Sequence, residues 1–241
     1  WEPTVFVSAG EWPAYGAEVQ RALAAASGRA EAASADAKKL TSMATNNAQR
    51  VRMIRDMVAR RIRAAGPGLP DLPLTAVSPA DVTLRDGYGN ASDRAVLLHA
   101  MLAAAGLKPD FVLAGPDGRG PRLHAPMADA PQRGLFGQVL VRVRDDDGRS
   151  VLLNDTDQYA DPGVSPSLGC DALIPSSGAI ERLDGDPAFE NAGESECEIR
   201  LGGAGDARIR IRRVYRGMPA AEFRRTFSEL PPEERRRYHQ E

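Results

Sequence analysis

The chain has few places for chemistry. Its 241 residues include two cysteines, Cys170 and Cys197, and three histidines, His99, His124 and His239. Two cysteines are too few for a disulfide framework and form no metal-ligand pattern; one disulfide or two separate thiols both fit the sequence. No His, Asp or Glu spacing supports a metal site, and no cofactor is expected. The stretch shaped for reactivity is residues 86–106, DGYGNASDRAVLLHAMLAAAG, a glycine-rich turn that runs straight into an apolar helix. Asn90 is a good N-cap, and Asp93 sits three residues on, where a capping box needs it. Such a helix start aims unpaired N–H groups at whatever precedes it and stabilises a nucleophile or an anion. A thiol placed there is held as thiolate. A histidine on an adjacent strand would then take its proton, and an Asp or Asn on the next strand would orient that histidine.

Elements must exist to position such a set. Ala95, Leu98, Leu102 and Ala105 recur at helical spacing, and Val96, Leu97 and Met101 widen the stripe, so this helix belongs at a domain centre. His99 lies inside it and reads as a packing residue. Upstream, residues 4–7 read as a short strand, and Trp1 and Trp12 as anchors on the domain. Residues 14–44 are alanine-rich helix, interrupted at Gly28 and resuming to about Leu40. Residues 46–65 form a clearer helix with the stripe Val51, Ile54, Val58 and Ile62; its arginines read as a solvated face. Four prolines in residues 66–85 require an extended crossing rather than a long helix.

Downstream, residues 108–114 read as a buried strand, and residues 115–133 as a Gly/Pro-rich loop. Residues 138–144 alternate, with Val139, Val141 and Val143 on one face and Arg142 and Arg144 on the other. The Asp145-Asp146-Asp147-Gly148 turn returns the chain along residues 150–153 as a hairpin; it lacks the further oxygens of a calcium loop. Short strands follow near residues 172–174 and 178–183. A second hairpin pairs Cys197, Ile199 and Leu201 with Ile209, Ile211 and Val214. Residues 219–239 close as a helix with a break at Pro231-Pro232. Helices first and strands second predict an α+β fold, with the central helix packed on an antiparallel sheet.

Composition excludes several classes. Lys and Arg number 31 and Asp and Glu 33, a formal net charge of -2, and the pI is about 6.0. A near-neutral total is no nucleic-acid or membrane surface. No apolar run reaches the roughly 18–20 residues of a membrane span. The chain opens on Trp1 with no Met and no signal-like segment, and reads as an excised or mature piece of a longer protein.

Across residues 5–185 the sequence resembles the transglutaminase-like superfamily, whose core has the papain-like cysteine-protease fold. It is most similar to the bacterial multi-domain type. In those relatives the central helix opens with a pattern like Gly-x-Cys-x-Asp-Lys-Ala. The matching residues here are Gly89, Asn90, Ala91, Ser92, Asp93, Arg94 and Ala95, followed by Val96-Leu97-Leu98. The resemblance places the nucleophile at Ala91. The family's base follows a Phe-x-His pattern; Phe136-Gly137-Gln138 matches and puts Gln138 there. The third residue belongs to a Leu-Asp-x-Thr pattern; Leu153-Asn154-Asp155-Thr156 matches and puts Asn154 there. Cys, His and Asp are thus replaced by Ala, Gln and Asn. Alanine offers no nucleophile, and glutamine cannot accept and return a proton near neutral pH. Three losses together point to natural degeneration.

The resemblance implies a transglutaminase-like core over residues 1–190 and, over residues 191–241, the start of a following β-rich region. It implies flanking β-rich domains as partners and a periplasmic or extracellular address. A groove lined by Tyr88, Asn90, Asp93 and Asp157, beside the three replaced positions, would take a peptide or glycan strand or be filled by side chains. The competing reading is an active hydrolase or acyltransferase rebuilt from Ser92, His124 and Asp155. A one-residue shift on a helix turns the side chain by about 100°, which would aim Ser92 away from the groove.

Overall fold

The computed structural model describes residues 9–115, 130–185, 189–203 and 205–238. The strand expected at residues 4–7, Trp1, His239, and most of the 115–133 loop with His124 lie outside them.

Four helices precede the sheet and surround a fifth. They are α1 (Trp12–Ser27), α2 (Glu31–Leu40), α3 (Asn47–Arg61) and the short α4 (Ala80–Asp86). All four pack on α5 (Ala91–Ala104), the helix expected at the centre. Leu97, Leu98, Met101 and Leu102 of α5 are almost fully buried. Each such side chain contributes about 1.5–3 kcal/mol by leaving water. Trp12 is buried and meets the Phe136 ring edge-on at 5.1 Å, so it anchors α1 as expected. Helix α3 ends at Arg61, earlier than the periodicity suggests. The chain then extends into β1 (Arg63–Ala64), which pairs in parallel with β2 (Tyr88–Gly89) just before α5. The proline-rich crossing is not wholly extended; it contains two single 3-10 turns, at Leu69–Asp71 and Leu74–Ala76, before α4. Proline's fixed φ suits both extended backbone and such short turns.

Five strands form one antiparallel sheet: β3 (Asp110–Ala114), β4 (Gln138–Arg144), β5 (Ser150–Leu153), β6 (Asp171–Ile174) and β7 (Ala179–Arg182). Their order is β5-β4-β3-β6-β7. Register is set by Val112 facing Leu140 and by Val143 facing Val151. One face of the sheet carries Phe111, Leu113, Val139, Val141 and Val143 into the main core with α5. The other face is also buried: Val112, Leu140, Leu152 and Ile174 form a second cluster with Leu168 and Leu183. The expected polar outer face therefore holds only in part. Arg142 stays there, half-buried between Asp110 at 3.1 Å and Glu181 at 3.2 Å. The chain is thus α+β, with the central helix on an antiparallel sheet.

One arginine of α3 departs from the expected solvated face. Arg55 is buried, and its guanidinium is fully occupied. It donates to Asp56 Oδ1 at 2.8 Å, to the Asp157 carbonyl at 2.6 Å and to the Ala160 carbonyl at 2.7 Å. A planar fork with five donors can serve several acceptors at once, so a helix residue ends up fastening a distant loop.

The C-terminal unit is a hairpin of β8 (Ala192–Leu201) and β9 (Ala207–Arg216), followed by α6 (Met218–Glu229) and α7 (Pro232–Arg237). The helix expected over 219–239 is divided at the two prolines. Tyr215 meets Phe223 at 5.6 Å, and Phe223 meets Phe227 at 4.7 Å, so α6 covers the base of β9. Arg224 reaches the Tyr159 carbonyl at 3.0 Å and Arg225 pairs with Asp157, which ties α6 to the loop that Arg55 holds.

His99 confirms the packing role. It stacks on Phe111 at 4.2 Å, and its Nδ1 lies 2.8 Å from Ser27 Oγ. Burial pushes its pKa below the usual 6.5, against Asp110 and the Pro109 carbonyl, which pull it up. Protonation is therefore easier in the unfolded chain. The stabilising contribution of the neutral ring is full above about pH 6.5 and is lost as the pH falls through the lower folded value. Urea unfolding of the parent and of His99→Gln should show a steeper loss of stability in the parent as the pH falls below about 6.5. Parallel profiles would remove His99 as the titrating group.

Candidate functional site at the start of the central helix

The turn before α5 is built by two side chains. Asn90 Oδ1 accepts from Ser92 N at 2.8 Å and from Asp93 N at 3.0 Å, while Asp93 Oδ2 accepts from Asn90 N at 3.1 Å. This is the reciprocal capping box that the spacing predicts. The second Asp93 oxygen accepts from Ser78 N at 2.7 Å, a bond that fastens the proline-rich crossing to the helix start. Gly89 is required here, because a Cβ on it would stand 2.8 Å from Asp93 Cβ. Gly137, before β4, is pressed the same way, since its Cβ would lie 2.6 Å from Pro70 Cγ.

Two of the three positions assigned by resemblance touch here, and the third adjoins them through the next residue of its strand. Ala91 is the first residue of α5, Gln138 opens β4, and Asn154 follows the end of β5. The Asn154 amide nitrogen donates to the Ala91 carbonyl at 2.7 Å and to the Val139 carbonyl at 2.8 Å. One side chain thus joins the helix start to the strand that carries Gln138. Asn154 has φ of 89°, the left-handed region that Asn tolerates better than most residues. Its Oδ1 is buried and has no hydrogen-bond partner among the described residues. Both amide protons serve carbonyl oxygens, and a carboxylate in this place has no proton to give.

The remaining expected residues are distributed differently. Tyr88 projects from β2 and is 58% exposed. Asn90 and Asp93, expected to line a groove, are instead buried and spend their polar atoms on the capping box and Ser78. Asp157 accepts from Tyr159 N at 3.0 Å and pairs with Arg225, so it holds α6 rather than a groove wall. Ser92 is only 1% exposed, and its Oγ has no partner among the described residues. Asp155 accepts from the Ser165 hydroxyl, while Ser167 N donates to Ser165 Oγ at 3.0 Å. Burial raises the Asp155 pKa from the ordinary carboxylate value, opposed by hydrogen bonds from Ser165 and Ser167. Its carboxyl thus serves its own loop. His124 lies outside the described residues. Neither Ser165 nor Ser167 was singled out in the sequence; serines in a proline-punctuated loop carry no pattern.

The cavities at the start of α3, beside α1, at the distal end of β4 and on the β8–β9 hairpin do not have Ala91, Gln138 or Asn154 in their walls. Among the described residues no group of three or more His, Cys, Asp or Glu is placed to hold a metal ion, and no helix is long and apolar enough to cross a membrane.

No family model matches the chain, and no curated protein matches it. It is similar to a solved structure described as a "putative protease" from Parabacteroides distasonis ATCC 8503. The two are 21% identical, with a TM-score of 0.48; the match covers 70% of this chain and 32% of that one. The chain therefore spans about a third of the length of that structure.

The amide of Asn154 yields a direct test. Asn154→Asp removes two hydrogen bonds and sets a negative charge against two carbonyl oxygens. It should destabilise the fold by about 2–4 kcal/mol at pH 7, read from the urea midpoint. An unchanged midpoint would show that the two carbonyls do not depend on that amide.

Proposed function

We propose that residues 1–190 are a transglutaminase-like core whose catalytic positions have lost their reactive groups, kept as a non-catalytic structural or recognition module of a larger protein. The observation that carries this reading is the Asn154 amide on the Ala91 and Val139 carbonyls. It supports the assignment twice. Positions 91 and 154, paired only by pattern, touch in space, with the residue after Gln138 bonded to the same amide, and the side chain at 154 is used for fastening instead of orienting a base. The commitment of Asp155 to Ser165 speaks against a rebuilt Ser/His/Asp set.

In this reading the helix start keeps the shape that sharpens a nucleophile and has lost the nucleophile. Exposed Tyr88 stands at the rim, where an extended peptide or glycan strand would lie against Gln138. Residues 191–241 are the beginning of a following β-rich region. The support is the apolar row Cys197, Ile199, Leu201, Ile209 and Ile211, which shares one face of the hairpin and stays exposed.

The test restores the chemistry in steps, in a Cys197→Ser background because Cys197 is exposed. The Ala91→Cys variant should give a thiol that iodoacetamide alkylates at a pH well below the ordinary 8.5 of cysteine, since the helix start stabilises thiolate. Adding Gln138→His and Asn154→Asp should produce measurable amide hydrolysis or acyl transfer, while the parent shows none. Parent turnover abolished by Ser92→Ala would overturn the proposal, as would an ordinary thiol pKa at position 91.

A further inference from the structure

A second site lies at the far end of β4. The strand runs from Gln138 to Arg144, so its two ends are about 20 Å apart at 3.4 Å per residue. At the distal end a cavity of about 490 Å³ opens where the start of α3, the β4–β5 turn, the loop after β5 and the C-terminal unit meet. That volume is in the range of about 300–1,000 Å³ typical of small-molecule sites, which favour such junctions. It far exceeds what a bare ion needs, a water's share being about 30 Å³.

The charges of the wall are uneven. Arg149 is committed to the acidic turn, through Asp145 at 3.0 Å and through Asp147. Asp146 caps the start of α3 by accepting from Asn47 N at 2.8 Å. Each of those acidic groups is bonded within the turn or to the start of α3, although three carboxylates on one guanidinium leave the turn itself net acidic. On the other side, Arg52 and Arg224 share one carboxylate, Asp161, at 3.2 and 2.9 Å. Arg216 touches Glu194 at 3.5 Å, and Glu194 is mostly exposed and lies outside the wall. Three guanidiniums thus face two carboxylates, which leaves one positive charge unmatched. Each guanidinium retains N–H groups beyond those bonds. Between them the wall is apolar: Val51, Val151 and Val164 lie beneath, and the rings of Phe189 and Tyr215 stand at the side.

We propose that this cavity binds a small organic monoanion, a carboxylate whose other end is an aromatic or branched apolar group. The carboxylate lies between Arg216 and Arg224, repeating the way Asp161 is already shared by two guanidiniums. The apolar end lies against Phe189 and Tyr215. A single negative charge completes the balance on the Arg52, Arg216 and Arg224 side of the cavity, and the planar fork of arginine matches the planar carboxylate. This site does not depend on the reading of the α5 start.

The experiment is calorimetric titration of the 241-residue chain at low salt with three probes: N-acetyl-L-phenylalanine, its neutral amide, and phenyl phosphate. The carboxylate should bind saturably at one site, and the amide at least about 10-fold more weakly, as expected for loss of a charge-assisted hydrogen bond. Arg216→Gln should weaken the carboxylate about 10-fold, because the pair it loses is long and exposed. Ala220→Phe, which fills the cavity from α6, should abolish binding; the melting temperatures of both variants report that they fold. Equal binding of carboxylate and amide overturns the proposal, as does parent-like binding in both variants or no saturable binding up to millimolar probe. Tighter binding of phenyl phosphate than of the carboxylate overturns the monoanion assignment.

Discussion

A primary amide can give two hydrogen bonds from one nitrogen, and a carboxylate can give none. The region around α5 depends on this difference. The Asn154 amide spends both protons, one on the first turn of α5 and one on β4. In the proposed reading those are the two elements that a thiol-imidazole pair would have to span. Asn154 holds helix and sheet together there. An aspartate would have to be neutralised by an imidazolium next to it, and Gln138 supplies no such charge.

A second fastening works through arginine. Buried Arg55 holds the carbonyls of Asp157 and Ala160, and Arg224 and Arg225 hold the same loop from the other side. The short segment after β5 is thus gripped by α3 and α6 together. Guanidinium bonds to backbone carbonyls need no particular side chain at the receiving positions. Only Asp157, through its pair with Arg225, adds a side-chain requirement to those carbonyl bonds.

Much of this was legible because local rules and global packing agree. The capping box at Asn90 and Asp93, the apolar stripe of α5 and the alternation of β4 each appear in the sequence and in the fold. The positions of Ala91, Gln138 and Asn154 were legible only through pattern resemblance, since no propensity brings residues 91 and 154 together. What escaped was long-range polar pairing. Arg55 looks like its exposed neighbours on α3, and only the arrival of residues 157–160 makes it a buried residue. Asn90 and Asp93 read as groove residues because their polarity was visible while the Ser78 bond was not. Leu140 and Leu152 hide the burial of the outer sheet face, because the segment that covers them follows an irregular path with no periodic signal.

The hairpin of β8 and β9 has a consequence of a different kind. Among the described residues both of its edges are unpaired, and along one face Ile199, Leu201, Ile209 and Ile211 are each more than half exposed. The opposite face sets Glu196 across from Arg212 and Glu198 across from Arg210. One strand therefore presents an acidic edge and the other a basic edge. Lateral contact between the acidic edge of one molecule and the basic edge of the next is attractive, and like-edge contact is repulsive. Where no further strand covers them, edges with this polarity favour head-to-tail contact over closed pairs. Ionic strength thus becomes a solubility variable for this chain: salt screens the edge attraction while it strengthens the cohesion of the apolar face.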